Sequence, residues 1–307
     1  MRRGPAGTTG ASPPVEPDCG LESQLFTKPD NLLTLIALGA VLLAAPAAQM
    51  TRAEDAPAPA PKASPVSSVD LTALNVNWAV DGVITGATLA MWVLPEFFKN
   101  SLVPAEARWY GPPGIDVSAR TALVWSNPAP AALTSDILVA AVPLGLGLWD
   151  FLEAEAAGGF RTAAEDLLVI TEAMTVAGAL TTVVRYTSAR IRPFAYYGQG
   201  TGVPEDRLSF WSGHTTTAFS AAASAGYVAQ VRGYASWPWV YAVGFTAAGA
   251  VSYFRVAGDK HWMTDVVVGA VVGTGVGFLV PWLHRSTPGL AVRLLPHPGG
   301  LAVAGRF

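Results

Sequence analysis

The stretch Arg255–Leu283, RVAGDKHWMTDVVVGAVVGTGVGFLVPWL, joins a short polar head to a long apolar run. The head carries Arg255, Lys260, His261 and Asp265, whereas Val266–Leu283 carries no charge and no apolar/polar alternation. A run of that length exceeds an ordinary strand and reads as a helix. Gly269, Gly273 and Gly277 recur every four residues, which leaves one face bare enough for another helix backbone to come close. The GTGVG segment at 273–277 is no dinucleotide loop, since it lies inside the helical run with no strand before it.

Working outward, five further stretches have the same Ala/Gly/Val/Leu character: Val80–Phe98, Ile137–Leu152, Leu167–Val184, Thr215–Val231 and Trp239–Phe254. No repeat of fixed period links them. The pattern predicts an all-α protein, a helical bundle of about six core helices over residues 71–285. Composition agrees: 51% of the 307 residues are apolar and 13% charged, roughly half the usual charged share of about 25%. That balance excludes a disordered chain. Nineteen Lys+Arg against 22 Asp+Glu, a net charge of −3, leaves no basic excess for nucleic acid. Cys19 is the sole cysteine, so neither a disulfide nor a thiolate metal site is available within the chain.

Residues 1–48 read as a signal peptide with a long leader. The run Leu32–Ala45, LLTLIALGAVLLAA, falls short of the about 20 residues of a membrane span and is followed by small residues. Residues 49–70 are an Ala/Pro-rich linker, and 286–307 a C-terminal tail or small hairpin. The expected location is a bacterial-type cell envelope, facing the periplasm, either integral to or associated with the membrane. Asp81, Asp136, Asp150 and Glu172 lie in or beside the apolar stretches and would have to face a bundle interior in lipid. Ile137–Trp149 is short as an uninterrupted run, so the last two stretches are the better candidates for spanning. The polar segment Lys99–Thr134 fits equally a cover over a site or a packing loop.

The few charges fall in three clusters. Arg185, Arg190 and Arg192, followed by Pro193, close the third stretch; Ser209-Phe-Trp-Ser-Gly-His214 opens the fourth; Arg255-x5-His261-x3-Asp265 opens the sixth. Each has a bland reading alone: cations at a helix C-terminus, an N-cap with a surface histidine, a structural His–Asp pair. In an up-and-down bundle, however, all three share one end. Arginine forks match tetrahedral oxyanions, and the backbone at Ser212 and Gly213 offers free N–H groups at a helix start. A carboxylate four residues from His261 sits on the same helical face and would orient the ring.

These spacings, Arg185-x6-Arg192-Pro193, Ser212-Gly213-His214 and Arg255-x5-His261-x3-Asp265, resemble the type 2 phosphatidic acid phosphatase/vanadium haloperoxidase superfamily over about 80 residues. The pattern departs at two positions: Arg185 stands where the family usually has Lys, and Trp211 where it usually has Pro. The resemblance implies a metal-independent phosphatase acting on a phosphomonoester or diphosphate, of lipid type, through a phosphohistidine. By that resemblance His261 is the nucleophile, Asp265 its partner and His214 the acid and base. Arg185, Arg192, Ser212, Gly213 and Arg255 would hold the phosphate. No cofactor or metal is expected, and vanadate would inhibit. The expected partners are a lipid or small phosphate ester and a membrane, with neither nucleic acid nor protein indicated. Two other readings stay open: a vanadate-dependent haloperoxidase, with vanadate as cofactor, and a non-catalytic lipid-phosphate-binding membrane protein.

Overall fold

The computed structural model describes residues 69–286 and the backbone of 291–297 and 300–306. The expected leader, signal peptide and nearly all of the linker lie outside the described residues. Eight helices are labelled here in chain order: α1 Trp78–Phe97, α2 Lys99–Leu102, α3 Gly114–Leu123, α4 Ala129–Gly158, α5 Phe160–Ser188, α6 Gly213–Arg232, α7 Trp237–Ala257 and α8 Met263–Leu283. Ala291–His297 (β1) and Gly300–Arg306 (β2) pair as an antiparallel hairpin.

The six long helices coincide with the six apolar stretches, and their ends follow local chemistry. Asn77 Oδ1 accepts the N–H of Val80 at the start of α1, and Ser212 Oγ does the same for Thr215 at the start of α6. Gly159 (φ 78°) breaks α4 from α5, and Gly233 (φ 75°) closes α6 in the left-handed conformation. The stretch that looked too short to cross a bilayer lies within α4, of 30 residues. At about 1.5 Å per residue, that helix outreaches a hydrocarbon core of about 30 Å. Hydropathy undershot it because the polar residues Thr134, Ser135 and Asp136 continue the same helix.

At the centre is α6, rich in Ala, Ser, Thr and Gly and enclosed by α4, α5, α7 and α8. Its Ala218, Ala222, Ala225 and Val228 meet Val169 and Ile170 of α5, Leu146 of α4 and Val251 of α7 in the core. The glycine stripe of α8 lies directly on α6. A Cβ at Gly273 would stand 2.4 Å from the Thr216 carbonyl oxygen, and one at Gly277 2.6 Å from that of Ser220. The two backbones touch at positions where only hydrogen fits.

The helices α1, α4, α5, α7 and α8 are long and apolar enough to cross a membrane, which extends the expectation beyond the last two stretches. Their outward faces show large apolar side chains to the surroundings, Val83 on α1, Leu144 on α4 and Val271 on α8 among them. In water so much apolar surface would be a liability. The carboxylates that weighed against lipid point elsewhere: Asp81, Asp150 and Glu172 are buried inside the bundle. So is Asp166, which accepts two hydrogen bonds from Arg232 (2.8 and 2.6 Å) and one from Tyr234 (2.9 Å).

Replacing Gly273 by Leu should force α6 and α8 apart. The expected cost is at least about 1–3 kcal/mol of overpacking, read as a lowered melting temperature in detergent, with a smaller effect for leucine at Gly275, which has open space around its Cβ position.

Candidate active site

All three charged clusters meet at one end of the bundle, where α5 and α7 finish and α6 and α8 begin. Ala189, in the left-handed conformation at φ 41°, ends α5 one turn after Arg185. The chain then turns under the bundle end, with Ile191 N–H donating to Trp109 (3.1 Å) and Arg192 N–H to the carbonyl of Asp206 (2.8 Å). The N–H of Ser212 donates to the carbonyl of Asp265 at 3.1 Å, tying the second cluster to the third. A Cβ on Gly213 would lie 3.8 Å from Arg185 Nη1, so that guanidinium sits beside the start of α6.

His261 is buried. Its Nδ1 lies 2.8 Å from the Ser209 carbonyl; a carbonyl only accepts, so Nδ1 carries the proton and Nε2 keeps the lone pair. The expected direct support from Asp265 takes another form. Asp265 Oδ2 is 3.6 Å from Nδ1, beyond hydrogen-bond reach. Its oxygens instead accept the Ser209 hydroxyl, the Arg190 guanidinium and the Trp262 N–H (2.9 Å). Asp265 therefore positions the peptide that holds the ring rather than the ring itself. Burial, then the charges of Arg192, Arg255 and Arg185, and last that of His214, push the His261 pKa well below its ordinary value.

His214, the second residue of α6, brings Nε2 to within 2.8 Å of Asp136 Oδ1. Arg255 Nη1 donates to the same oxygen at 2.8 Å and to Ser135 Oγ at 3.1 Å. Burial pushes the His214 pKa down, and the hydrogen bond with Asp136 opposes that shift. Ser212 Oγ is buried and taken up as the cap of α6, accepting from Thr215. Its place at the helix start, next to Gly213 and Arg185, keeps it at the site as a positioning group.

The electrostatics are those of an anion pocket. Burial, reinforced by Arg255 and Arg185, pushes Arg192 down to about 9. Lys260 is lowered too, by burial and then by Arg192 and Arg255. The Nε atoms of Arg192 and Arg255 are buried with no hydrogen-bond partner among the described residues. Crowded, desolvated cations with unused donors are stabilised by an oxyanion that accepts several N–H groups at once.

Sequence reasoning grouped Arg190 with the other arginines, but it lies apart from the pocket. It is fully buried, paired with Asp116 (2.6 Å) and Asp265 and stacked on Trp109, 4.1 Å from the ring centroid. Asp116, on α3, also accepts from the N–H and hydroxyl of Thr264, each at 2.8 Å. Beside it, Arg120 grips Asp259 with two bonds of 2.7 and 2.6 Å. The Lys99–Thr134 segment is thus a brace for the loop carrying His261. Asp116 and Asp136 were missed as site residues, although acidic residues stand out in a charge-poor chain; Ser209 was quoted with the second cluster, but its role as the carbonyl that holds His261 was not foreseen. Glu96, Lys99 and Glu205 form an ion-pair group beside Arg185.

Fold and site together describe a helical bundle with two histidines and several buried arginines gathered at one end. Residues 166–287, which hold all three clusters, match the family model of the PAP2 superfamily. The chain is also similar to a lipid A 1-phosphatase of Porphyromonas gingivalis, 33% identical over 110 residues, covering 36% of this chain and 22% of the relative. It is 30% identical over 116 residues to an undecaprenyl-diphosphatase of Sulfolobus acidocaldarius, covering 37% of this chain and 52% of the relative. The matched stretch thus spans about a fifth and about half of these curated relatives.

Removing the Arg190 charge with Arg190→Met leaves Asp116 and Asp265 buried without their cation. The expected loss is about 3–5 kcal/mol of stability, read by thermal or denaturant unfolding; Arg207→Met, whose side chain bonds only the Pro104 carbonyl, should cost much less.

Proposed function

We propose that the protein is a membrane-embedded phosphatase that hydrolyses a phosphomonoester or diphosphate of lipid type through a covalent phosphohistidine. The observation that carries this reading is the free Nε2 of His261, its ring tautomer held by the Ser209 carbonyl, on a ring that feels the charges of Arg192, Arg255 and Arg185. The family match and the two phosphatase relatives support the reaction class. The apolar outward faces of five long helices support a lipid environment.

In the first step the Nε2 lone pair of His261 attacks phosphorus and the bond to the leaving oxygen breaks. Nδ1–H, donated to Ser209, carries the positive charge that develops on the ring. His214 gives a proton to the leaving oxygen. In the second step His214, now neutral, takes a proton from water; the water oxygen attacks phosphorus, the P–N bond breaks and inorganic phosphate leaves. Arg185, Arg192 and Arg255, with the N–H groups at the start of α6, bind the non-bridging oxygens as their charge rises. Asp136 sets the His214 ring and orients Arg255 in one contact. All of these groups are side chains or backbone of this chain, so the proposed chemistry calls on no metal.

The site lies at one end of the bundle, so substrate phosphate would be met at one membrane face with the lipid tail along the helices. We propose the periplasmic face of a cell envelope. Protease access to the Lys99–Thr134 segment in intact spheroplasts tests that side, and protection until lysis would reverse it.

His261→Ala is expected to abolish release of phosphate from a lipid-phosphate panel and from a generic aryl phosphate, with the melting temperature close to that of the unaltered protein. Arg192→Ala should lose about 10²–10³ in rate. Retained turnover in His261→Ala would remove the mechanism. Vanadate should inhibit; halide oxidation with vanadate and peroxide, without phosphate release, would move the protein to the haloperoxidase reading.

The pH dependence follows from the lowered His261 pKa. A lowered pKa means the ring stays neutral, hence nucleophilic, until the pH falls well below the ordinary histidine value of about 6.5. The acid limb of kcat/KM assigned to the nucleophile should therefore lie below that value. Replacing Arg192 by Gln, which removes the charge acting most strongly on the ring, should shift the limb upward.

A further inference from the structure

A second polar cluster lies away from the phosphate pocket, toward the opposite end of the bundle. Asp81 near the start of α1, Glu172 in the middle of α5 and His284 just past α8 bring one ligand atom each to within 4.8 Å of the others, and all three residues are buried. His284 follows the 21 residues of α8, whose other end begins at the active site, placing it about 30 Å away along the helix.

Three observations go beyond proximity. The first is the tautomer. His284 Nδ1 lies 2.9 Å from the Val280 carbonyl and donates to it, which makes Nε2 the ring atom turned toward the two carboxylates. That is the arrangement in which a ligating histidine is oriented by a backbone carbonyl. The second is an orphan: Glu172 is 5% exposed, and its Oε2, 3.7 Å from His284 Nε2, has no hydrogen-bond partner among the described residues. The third is spacing. Nε2 is 3.4 Å from Asp81 Oδ2 and 3.7 Å from Glu172 Oε2. Atoms bound tetrahedrally to one ion at about 2.0–2.2 Å stand about 3.3–3.6 Å from each other. Asp81 Oδ2 also accepts the Asn77 N–H at 2.7 Å, which fixes its carboxylate.

We propose that Asp81, Glu172 and His284 form a binding site for one divalent transition-metal ion of the zinc class. Charge balance favours it, since a dication held between Asp81 and Glu172 neutralises two buried carboxylates. The imidazole in the donor set selects against magnesium and calcium, which prefer oxygen throughout. Three protein ligands leave a fourth position for water. Thr85, one turn along α1 from Asp81 on the same helical side, has a buried hydroxyl without a partner among the described residues. The site's role would be structural. It would join the entry to α1, the middle of α5 and the end of α8, where Asn75 N–H already donates to the His284 carbonyl at 2.7 Å. Its distance separates it from the phosphoryl-transfer pocket.

The test uses the full chain purified in detergent, stripped with a chelator and titrated with Zn²⁺, Co²⁺, Mg²⁺ or Ca²⁺. The expected result is about one Zn²⁺ per chain by elemental analysis, with a rise in melting temperature on adding Zn²⁺ and an intense tetrahedral Co²⁺ absorption band. Glu172→Gln and His284→Gln should lose the band and weaken Zn²⁺ binding about 10–100-fold or more. If the stripped, unaltered protein takes up no Zn²⁺ beyond Glu172→Gln, or Co²⁺ shows only a weak octahedral spectrum, or Mg²⁺ or Ca²⁺ binds in preference, the proposal is overturned. The unaltered-protein arms stand even where a variant misfolds, and none of the readouts depends on phosphatase turnover.

Discussion

The Asp265 carboxylate is the contact on which the candidate site depends. One group accepts from Arg190, from the Ser209 hydroxyl and from the Trp262 N–H, so the loops before α6 and α8 share an anchor. The Ser209 carbonyl, fixed in this way, sets the tautomer of His261. Arg190 extends the anchor outward to Asp116 and the α3 brace. Every member of this chain of bonds is buried, where a hydrogen bond is electrostatically strong and an unpaired group is costly. The ring is held through peptide geometry rather than by a carboxylate pressed against it.

The pocket concentrates like charges. Arg192 and Lys260 are both driven below their ordinary pKa values by burial and by neighbouring cations. Such crowding works against folding, and the rigid helix ends around it are what keep it in place. Among the described residues, Asp136 bonds both Arg255 and His214, and its carboxylate is exposed. The arrangement is consistent with a site whose stabilising anion is the substrate.

The helices were legible because each buries or exposes a long apolar surface that leaves a trace in composition, and the glycine period of α8 foretold its contact with α6. Helix ends were less legible, since polar residues such as Ser135 and Asp136 extend α4 without an apolar signal. The convergence of Arg185, Arg192, Arg255, His214 and His261 could be read from motif spacing plus an up-and-down topology. The division of labour could not. Nothing local distinguishes Arg190, which is locked in the interior, from Arg192 two residues on; the difference arises from Asp116 and Trp109, more than seventy residues away in the chain. The supporting role of Ser209 comes from its carbonyl, a group every residue has.

The bare face of α8 has a mechanical side. His214 is the second residue of α6 and His261 lies two residues before α8, so both imidazoles ride at the heads of helices whose backbones are in contact along Gly269, Gly273 and Gly277. Two rods pressed together without intervening side chains have little room to slide or roll. A bilayer that thins or thickens around the bundle would tilt the pair as one body, and the gap between the two imidazoles would be insulated from the mechanics of the lipid.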